Sequence, residues 1–368
     1  MTLGEFQHAI EEWIPPATSW EGDNVGIQVG RPDATITNIL LALDPTVGLA
    51  REARTRNANL IITHHPLFFH PLRSLTPKSK IGEIALYMAK HNINLYSAHT
   101  NLDHVDGGVS HAMASLLGLK NVRALSPLTG TLAKVTVFVP VSHLEKVARA
   151  MHDAGGGKFT KYEECSFRTD GVGTFKGTKN AKPFIGTQGV LERAPETKLE
   201  MLVETWNLDR VIDAMISAHP YEELAYDVYR LENKSRMFGL GAIGELPKPI
   251  RLMDLLVVVK KKLGSPAVRF SGKTSRKVKR VAVCGGAGSG VLGEAVKQEA
   301  DAFITADIKY HSFQEAEGNI CLIDAGHYET ERHVLPVLEE RVKAIVRQMK
   351  SSSKIFISTS NMNPVSYF

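Results

Sequence analysis

Two adjacent histidines, His64 and His65, stand directly between an apolar run and a proline. The run, "LIIT", has the composition of a buried strand, and within a strand neighbouring side chains point to opposite faces of the sheet. At the end of the strand this restriction is relaxed, and Pro66 forces the chain out of the strand. We therefore expect both imidazoles to lie at a strand end, where both can reach one cluster of ligands.

Other imidazoles and carboxylates follow later apolar segments in the same way. His99 and Asp103 come after "LYSA", and His327 and Glu331 come after "LIDAG". In open α/β sheets ligands collect beyond the carboxyl ends of the strands, so we expect these side chains to converge. Residues 328–349 are predicted as one long helix, in which His327 and Glu331 lie one turn apart on one face and can clamp an ion.

This donor set favours a metal site with two ions. Imidazoles mixed with carboxylates suit zinc, manganese or ferrous iron better than calcium, which prefers oxygen ligands. Five or six potential ligands exceed the three or four protein ligands that one zinc ion takes, so a carboxylate that bridges two ions is expected. Taken singly, an adjacent histidine pair is often incidental and a His–Glu pair on a helix is often solvated. Their joint occurrence at strand ends favours the metal site.

The stretch "ITADIKYH" places Asp307 and His311 at another strand end. One interpretation makes Asp307 a helix N-cap, whose carboxylate accepts hydrogen bonds from free backbone N–H groups. The other places His311 beside the cluster as a proton donor or acceptor, because imidazole titrates near neutral pH. The sequence leaves both interpretations open.

The stretch "VAVCGGAGSG" is similar to the phosphate-binding turn of dinucleotide-binding folds. The spacing fails, because Gly286 and Gly288 begin the motif but Val291 stands where its third glycine belongs. Phosphate binding by backbone N–H groups at a helix N-terminus stays open. NAD binding is not favoured.

Length, charge, cysteine content and the lack of long apolar runs limit the class of protein to which the chain can belong. The chain has 368 residues, enough for two or three compact units, and a net charge of +5, a mild bias that does not indicate nucleic-acid binding. Three cysteines without CxxC spacing suggest neither a disulfide framework nor a thiolate zinc site. No signal peptide is visible, and no stretch approaches the about 18 uninterrupted apolar residues of a membrane span. We expect a cytoplasmic protein.

Periodicity predicts the organisation of the chain. Strands and helices alternate from about residue 36 to residue 119, as in a β/α layered unit. Between residues 130 and 237 two strand–helix pairs flank a glycine-rich stretch, which indicates a small ferredoxin-like α+β module, and the alternation then resumes. We therefore predict an α/β protein in which two related segments, residues 1–129 and 238–368, form one layered metal-binding unit interrupted by an insertion domain at residues 130–237.

Five motifs occur in order along the two outer segments: "WEGDNVGIQVG", "THHPLFF", "SAHTNLD", "ITADIKYH" and "DAGHYETE". Together they resemble the Ngg-interacting-factor-three-like family, whose members are often labelled GTP cyclohydrolase I type 2 homologs. The middle stretch, which ends in "AHPYEELAYDVYRLEN", looks like the PII/CutA-like insert of the longer bacterial members. One departure is Ala306, which stands where the family motif has glycine before the aspartate.

The resemblance implies two divalent transition-metal ions per chain, with zinc as the first choice and manganese or iron as alternatives. The implied metal ligands are His64, His65, Asp103, His327 and Glu331. His99 and His311 fall in the matching motifs as cavity residues, and we take them as candidate catalytic residues. Family members form toroidal homohexamers, so the resemblance also implies self-association with the metal sites facing an internal cavity.

Two functions follow as expectations. The first is a metal-dependent hydrolase of a nucleotide-like or phosphorylated small molecule, with a metal-activated water as the attacking group. The alternative is a metal-binding regulatory or metal-carrying protein without catalysis, which the signalling-type insert favours. A DNA-binding role rests on the family name and the mild positive charge, and we do not favour a nucleic-acid partner.

Overall fold

The computed structural model describes residues 1–159, 161–360 and 363–368. The chain divides into two compact units: unit 1 comprises Met1–Pro127 and Arg236–Phe368, and unit 2 comprises Leu128–Ser235. The described residues form a mixed α/β fold with two sheets in unit 1 and one in unit 2. Within the described ranges, no helix combines the length and the apolarity that a membrane crossing requires.

The first sheet of unit 1 is built on a parallel core. Its strands are β1 (Gly26–Val29), β2 (Ile39–Ala42), β3 (Leu60–Thr63), β4 (Asn94–Ser97) and β15 (Ile355–Ile357). Their order is β1-β4-β3-β2-β15, in which β1 is antiparallel to β4 and the other neighbours are parallel. Every residue of β2, β3 and β4 is buried, as expected for parallel strands covered on both faces.

Helices cover this sheet and fix its carboxyl edge. They are α1 (Leu3–Glu11), α2 (Val47–Thr55), α3 (Lys80–Lys90) and α4 (Thr100–His104). Leu49 of α2 and Met88 of α3 pack with Ile61 of β3 in one apolar cluster. Burial of such side chains stabilises the strand positions by about 1.5–3 kcal/mol each.

The second sheet of unit 1 repeats the parallel arrangement. Its strands are β5 (Lys120–Pro127), β10 (Gly239–Arg251), β11 (Arg269–Phe270), β12 (Lys277–Val283), β13 (Ala302–Thr305) and β14 (Cys321–Asp324). Strands β12, β13 and β14 are parallel, whereas β5, β10 and β11 pair antiparallel. The helices of this half are α5 (Val109–Leu117), α8 (Leu252–Leu263), α9 (Leu292–Lys297) and α10 (Tyr310–Ala316).

The C-terminal helical segment is divided, so the prediction of one long helix over residues 328–349 is wrong. It forms α11 (His327–Glu331) and α12 (Val334–Gln348). Pro336 explains the break, because its ring would clash with the carbonyl group of residue 332 in a continuous helix. The short α11 can therefore point its side chains into the site while α12 packs on α1 and β2.

Unit 2 has the element order β-α-β-β-α-β, which is that of the ferredoxin-like motif. Its elements are β6 (Leu132–Pro140), α6 (Leu144–Asp153), β7 (Phe167–Lys176), β8 (Leu191–Glu204), α7 (Leu208–Ala218) and β9 (Tyr226–Leu231). The strands pair antiparallel in the order β7-β8-β6-β9. Alternate residues of β6 and β8 pack against both helices in one apolar core.

Candidate metal centre

The carboxyl ends of the two parallel strand groups meet at one site in unit 1. His64 and His65 directly follow β3, which ends at Thr63, and His99 follows β4 as the N-cap of α4. From the second sheet, α11 begins at His327, three residues after β14 ends. The rings of His65 and His327, which are 262 positions apart, have centroids 5.4 Å apart.

Glu331 is the carboxylate that the imidazoles share. Its Oε1 atom lies 3.0 Å from Nε2 of His327, and its Oε2 atom lies 3.2 Å from Nε2 of His65. The close pair on α11 follows from the i, i+4 spacing, because the two side chains share one helix face. Glu331 is 3% exposed, so its charge interacts with the imidazoles inside the protein.

His64 and Asp103 form the deeper side of the cluster. Nε2 of His64 lies 3.7 Å from Oδ1 of Asp103 and 3.7 Å from Oε1 of Glu331, which is too long for a hydrogen bond. Among the described residues, neither His64 Nε2 nor Asp103 Oδ1 has a hydrogen-bond partner, although both atoms are buried. Buried polar atoms without partners are costly, and a cation between them would satisfy both.

The imidazoles are fixed through their Nδ1 atoms, so that Nε2 of each ring faces the cluster. The acceptors are the Ala98 carbonyl oxygen at 2.8 Å from His64, Asp44 Oδ1 at 2.8 Å from His65, and Asp307 Oδ2 at 2.7 Å from His327. An acceptor at Nδ1 holds the proton there and leaves the Nε2 lone pair for a metal, the usual arrangement of metal-ligating histidines. The donor atoms of His64, His65 and Glu331 lie within 4.8 Å of one another, a grouping that could hold an ion.

His99 lies beside the cluster and is held by Asp23. Its Nδ1 atom lies 2.8 Å from Asp23 Oδ1, and its ring centroid lies 5.5 Å from that of His64. Burial raises the pKa of Asp23, but hydrogen bonds from His99 and Thr100 outweigh it and lower the pKa to about 2. Asp23 is therefore a carboxylate at neutral pH, which fixes the orientation of His99.

The mixed charges of the cluster shift its pKa values strongly. Burial lowers the pKa of His65, but hydrogen bonds to Asp44 and Glu331 outweigh burial and raise it to about 10. The hydrogen bond that His327 donates to the Glu331 carboxylate raises the pKa of His327 to about 9 in spite of burial. Burial raises the pKa of Asp103 to about 7. Anions beside the rings therefore favour any cation, a proton or a metal ion, between them.

His311 is not brought to the cluster. It lies in α10, where its Nδ1 atom is 3.0 Å from Oε1 of Gln314, and its side chain is exposed. In the described part of the chain it has no ring contact or ion pair with a cluster residue. The role of His311 as a proton donor or acceptor therefore stays a prediction.

Asp307 is not a helix N-cap either, because Lys309 occupies that position of α10. The Asp307 backbone is in the left-handed region, with φ of 53°, and its carboxylate instead accepts the His327 Nδ1 hydrogen bond. The N-cap interpretation of this stretch is thus replaced by another. Asp307 positions an imidazole of the cluster.

The glycine-rich stretch after β12 lies against the cluster. A Cβ atom on Gly286 would be 2.2 Å from Oε1 of Glu331, and the φ of Gly286 is +59°, so glycine is required on both grounds. The backbone N–H groups of Gly286 and Gly288 donate to the hydroxyl groups of Thr330 and Thr305. These two donors of the turn are therefore occupied within the protein. Its glycines permit close packing against Glu331.

A cavity of about 830 Å³ opens beside the cluster. His65 and His327 line it on the side of the cluster, and Lys80, Arg269 and Phe69 line it elsewhere. The volume is in the range of small-molecule sites. The cluster can therefore be reached by a substrate of nucleotide size.

Asp23 and Asp44 are positioning residues that the sequence reasoning missed. Asp44 follows the apolar strand β2, so the same strand-end rule that selected His64 could have selected it. Asp23 lies in the "WEGDNVG" motif, but no local pattern connects it with His99, which is 76 positions away. A partner at that distance is set by the tertiary fold.

Comparisons with known proteins agree over the whole chain. Residues 1–364 match the family model Duf34/NIF3 (NGG1p interacting factor 3). Proteins named GTP cyclohydrolase 1 type 2 homolog from Halalkalibacterium halodurans and from Bacillus subtilis are each 36% identical over 360 residues, 97% of this chain and 96% of the relative. The crystal structure of a Bacillus cereus protein related to NIF3 is 35% identical, with a TM-score of 0.87, and covers 100% of this chain and 99% of that one. The chain therefore belongs to the Duf34/NIF3 family.

Proposed function

We propose that the chain binds two divalent transition-metal ions at this centre and is a metal-dependent hydrolase of a nucleotide-like or phosphorylated small molecule. The observation that carries the proposal is the set of inward-facing Nε2 and carboxylate atoms beside a cavity of about 830 Å³. The ligands are His64, His65, Asp103, His327 and Glu331.

Two ligand sets that share one carboxylate support two ions rather than one. Nε2 of His64 lies 3.7 Å from both Asp103 Oδ1 and Glu331 Oε1, and Nε2 of His65 and of His327 lie 3.2 Å and 3.0 Å from Oε2 and Oε1 of the same carboxylate. Donors about 2.0–2.2 Å from one ion are about 3.0–3.6 Å apart, which matches these separations of 3.0–3.7 Å. Zinc suits this donor set best, with manganese or iron as alternatives.

One cation of the cavity lining supports a phosphorylated substrate. Four carboxylates also line the cavity: Asp44 and Asp307 contact imidazoles, Asp324 pairs with Arg269, and Glu329 accepts a hydrogen bond from the neutral amide of Asn363. The Lys80 ammonium has no ion-pair partner among the described residues, so it can receive a phosphate. The relatives named GTP cyclohydrolase 1 type 2 homolog point to the same class of substrate.

Catalysis would combine these charges with a proton carrier. When bound, divalent ions supply Lewis acidity, which polarises a substrate oxygen and lowers the pKa of water. His99 lies next to the cluster with Nδ1 held by Asp23, so its Nε2 atom can accept a proton from an attacking water. Asp23 keeps this imidazole in one orientation.

The test combines metal analysis with a turnover screen. Chain purified without chelators should hold about two transition-metal ions and hydrolyse a member of a nucleotide and phosphoester panel. Asp103→Ala should abolish both properties. Less than one ion per chain with no loss of metal in Asp103→Ala would contradict the metal site, whereas full metal content without turnover of any panel member would contradict the hydrolase.

Metal affinity should rise with pH. Metal binding needs neutral imidazoles, and the folded-state pKa values of His65, about 10, and His327, about 9, keep both rings protonated at pH 7. At pH 7 each ring must lose its proton when an ion binds, which weakens metal binding. As the pH rises above these pKa values the rings are already neutral, so metal affinity increases. We expect release of about two protons per chain at pH 7, measured by calorimetry in buffers of different ionisation enthalpy. Identical heats in all buffers would contradict this linkage.

Asp307→Asn should weaken metal binding without removing a ligand. The substitution deprives His327 Nδ1 of its charged acceptor at 2.7 Å. Loss of such a partner lowers metal affinity by about 10–100-fold, measurable by competition with a chromogenic chelator. Asp33→Asn is the matched control, because Asp33 is 75% exposed and pairs with Arg31 on the surface. Equal affinity in both variants would remove Asp307 from the site.

A metal-carrying or regulatory protein without catalysis is the second candidate. The independent β-α-β-β-α-β unit favours it, and we propose that residues 130–237 are an inserted ferredoxin-like domain of the PII/CutA-like type. Steady turnover that is lost in Asp103→Ala would exclude this candidate. Transfer of metal to an apo-acceptor without turnover would support it.

We also propose a homohexamer in the cytoplasm. The family resemblance supports the toroidal assembly, in which the metal sites face an internal cavity. Light scattering should give a mass close to six chains of 40.4 kDa. A monomer or dimer at micromolar concentration would contradict it.

A further inference from the structure

Unit 2 contains a cavity of its own, with a volume of about 950 Å³. It lies on the sheet face opposite the helices. Val137 and Leu199 pack in the helix-side core, whereas Phe138 and Glu196, at positions of opposite parity on β6 and β8, line the cavity. The segment after β7 and the segment after α7 complete its walls.

A glycine in β7 keeps a buried carboxylate in this cavity. Gly173 lies on the cavity floor, and a Cβ atom there would be 1.9 Å from Oε2 of Glu196. Glu196 is only 8% exposed. The missing side chain at position 173 therefore provides the space that the Glu196 carboxylate occupies.

The Glu196 carboxylate lacks a cationic partner within the described residues. Its Oε1 atom accepts a hydrogen bond of 2.8 Å from the hydroxyl group of Tyr221. No described lysine, arginine or histidine nitrogen lies within the 4.0 Å of an ion pair with it. A carboxylate buried to this degree with one neutral donor is poorly compensated.

The neighbouring groups do not supply that cation. The Nε2 atom of His219 donates to the Phe138 carbonyl oxygen at 3.0 Å, and its Nδ1 atom accepts from the Tyr221 N–H group. Burial lowers the pKa of His219, which keeps the ring neutral. Lys198 lies 3.2 Å from Glu200 and is paired there.

Aromatic rings line the same cavity as this carboxylate. The centroid of Tyr221 is 6.1 Å from that of Phe175 and 6.3 Å from that of Phe184, and all three rings line the cavity. Four carboxylates line it against two lysines: Asp170, Glu196, Glu222 and Glu223 against Lys176 and Lys198. Aromatic faces and a net negative charge both attract a desolvated organic cation.

We propose that this cavity of unit 2 binds a small organic ammonium ion, with Glu196 as its counter-charge and the rings of Phe175, Phe184 and Tyr221 against its alkyl groups. The site is separate from the metal centre and independent of the hydrolase proposal. An ammonium group would complete the pairing of Glu196. A ligand bound in this unit could report the availability of an amine.

The test compares choline with 3,3-dimethyl-1-butanol, its uncharged carbon isostere, by calorimetry on the full metal-loaded chain. We expect saturable choline binding, with the alcohol weaker by about tenfold or more. Glu196→Gln keeps the acceptor for Tyr221 and should weaken choline binding by a similar factor. Glu232→Gln makes the same charge change at an exposed position outside the cavity and should leave binding unchanged.

Phe184→Ala provides a second variant that does not depend on a buried group. Phe184 is 51% exposed, so the substitution should not unfold unit 2, and it should reduce choline affinity severalfold. Equal binding of choline and the alcohol would overturn the proposal, as would unchanged affinity in both Glu196→Gln and Phe184→Ala. So would the absence of saturable binding of choline, tetramethylammonium and benzyltrimethylammonium at millimolar concentrations.

Discussion

Glu331→Gln should release the bound metal while the chain stays folded. Glu331 contacts His65 at 3.2 Å and His327 at 3.0 Å, and its other contact, 3.7 Å from His64, joins the two ligand sets. Glutamine has nearly the same size but no charge and offers a single acceptor oxygen. Loss of a positioning partner alone costs about 10–100-fold in metal affinity, and loss of the shared ligand should cost more. Elemental analysis after dialysis against micromolar metal measures the effect.

The fold should tolerate this substitution because the imidazoles can release their protons. His65 and His327 have pKa values raised to about 10 and about 9 by partners that include Glu331, so its replacement lowers both pKa values and makes proton loss easier. Circular dichroism and thermal unfolding of the metal-free variant should therefore stay close to those of the metal-free wild type. An unfolded variant would mean that Glu331 acts mainly in folding.

Glu329→Gln is the matched control for Glu331→Gln. Glu329 lies in the same helix and is 4% exposed, but its carboxylate accepts a hydrogen bond from Asn363 rather than from an imidazole. We expect it to keep its full metal content. Equal metal loss in both variants would show that α11 is generally sensitive and that Glu331 is not a ligand.

Gly286→Ala should damage the metal centre from outside the ligand set. The added methyl group would lie 2.2 Å from Glu331 Oε1 and 3.2 Å from His327 Nε2, and a φ of +59° is unfavourable for alanine. The backbone conformation alone costs about 1–3 kcal/mol. We expect a lower unfolding temperature together with metal loss, measured by calorimetry and elemental analysis on the same sample.

Gly290→Ala is the control for this substitution. Gly290 lies in the same loop, its φ is outside the left-handed region, and no atom lies within 4 Å of the added Cβ position. It should retain both stability and metal. If Gly286→Ala also retained its metal content, the close packing of this turn against Glu331 would be irrelevant to the site.

Local sequence patterns sufficed for the elements that carry the ligands. The apolar runs that became β3 and β4 are short and end at polar residues, and the spacing of His327 and Glu331 is one helical turn. Such predictions use only the periodicity of apolar residues and the spacing of residues along the chain, so they need no information about distant residues. The strand-end pattern therefore selected His64, His65, His99, Asp103, His327 and Glu331, and the family resemblance implied all of these except His99 as ligands.

Strands without a clear pattern could not be predicted in the same way. Strand β10 contains Pro247 and Pro249, which usually argue against a strand, and its pairing with β12 shifts register in this region. Strand β15 is short, and its pairing with β2, more than three hundred positions earlier, stabilises it as a strand. In both cases pairing partners rather than intrinsic propensity decide the structure.

The sequence by itself determined which side chains end the parallel strands, because alternation and apolar runs are local properties of the chain. Tertiary structure decided the rest of the site. It placed the His311 ring against Gln314, assigned Asp307 to His327, and paired Asp23 with His99. The reason is physical, because hydrogen-bond partners and close contacts, such as that of Gly286 with Glu331, depend on how the two sheets of unit 1 pack. The spacing of residues within one segment carries no information about that packing.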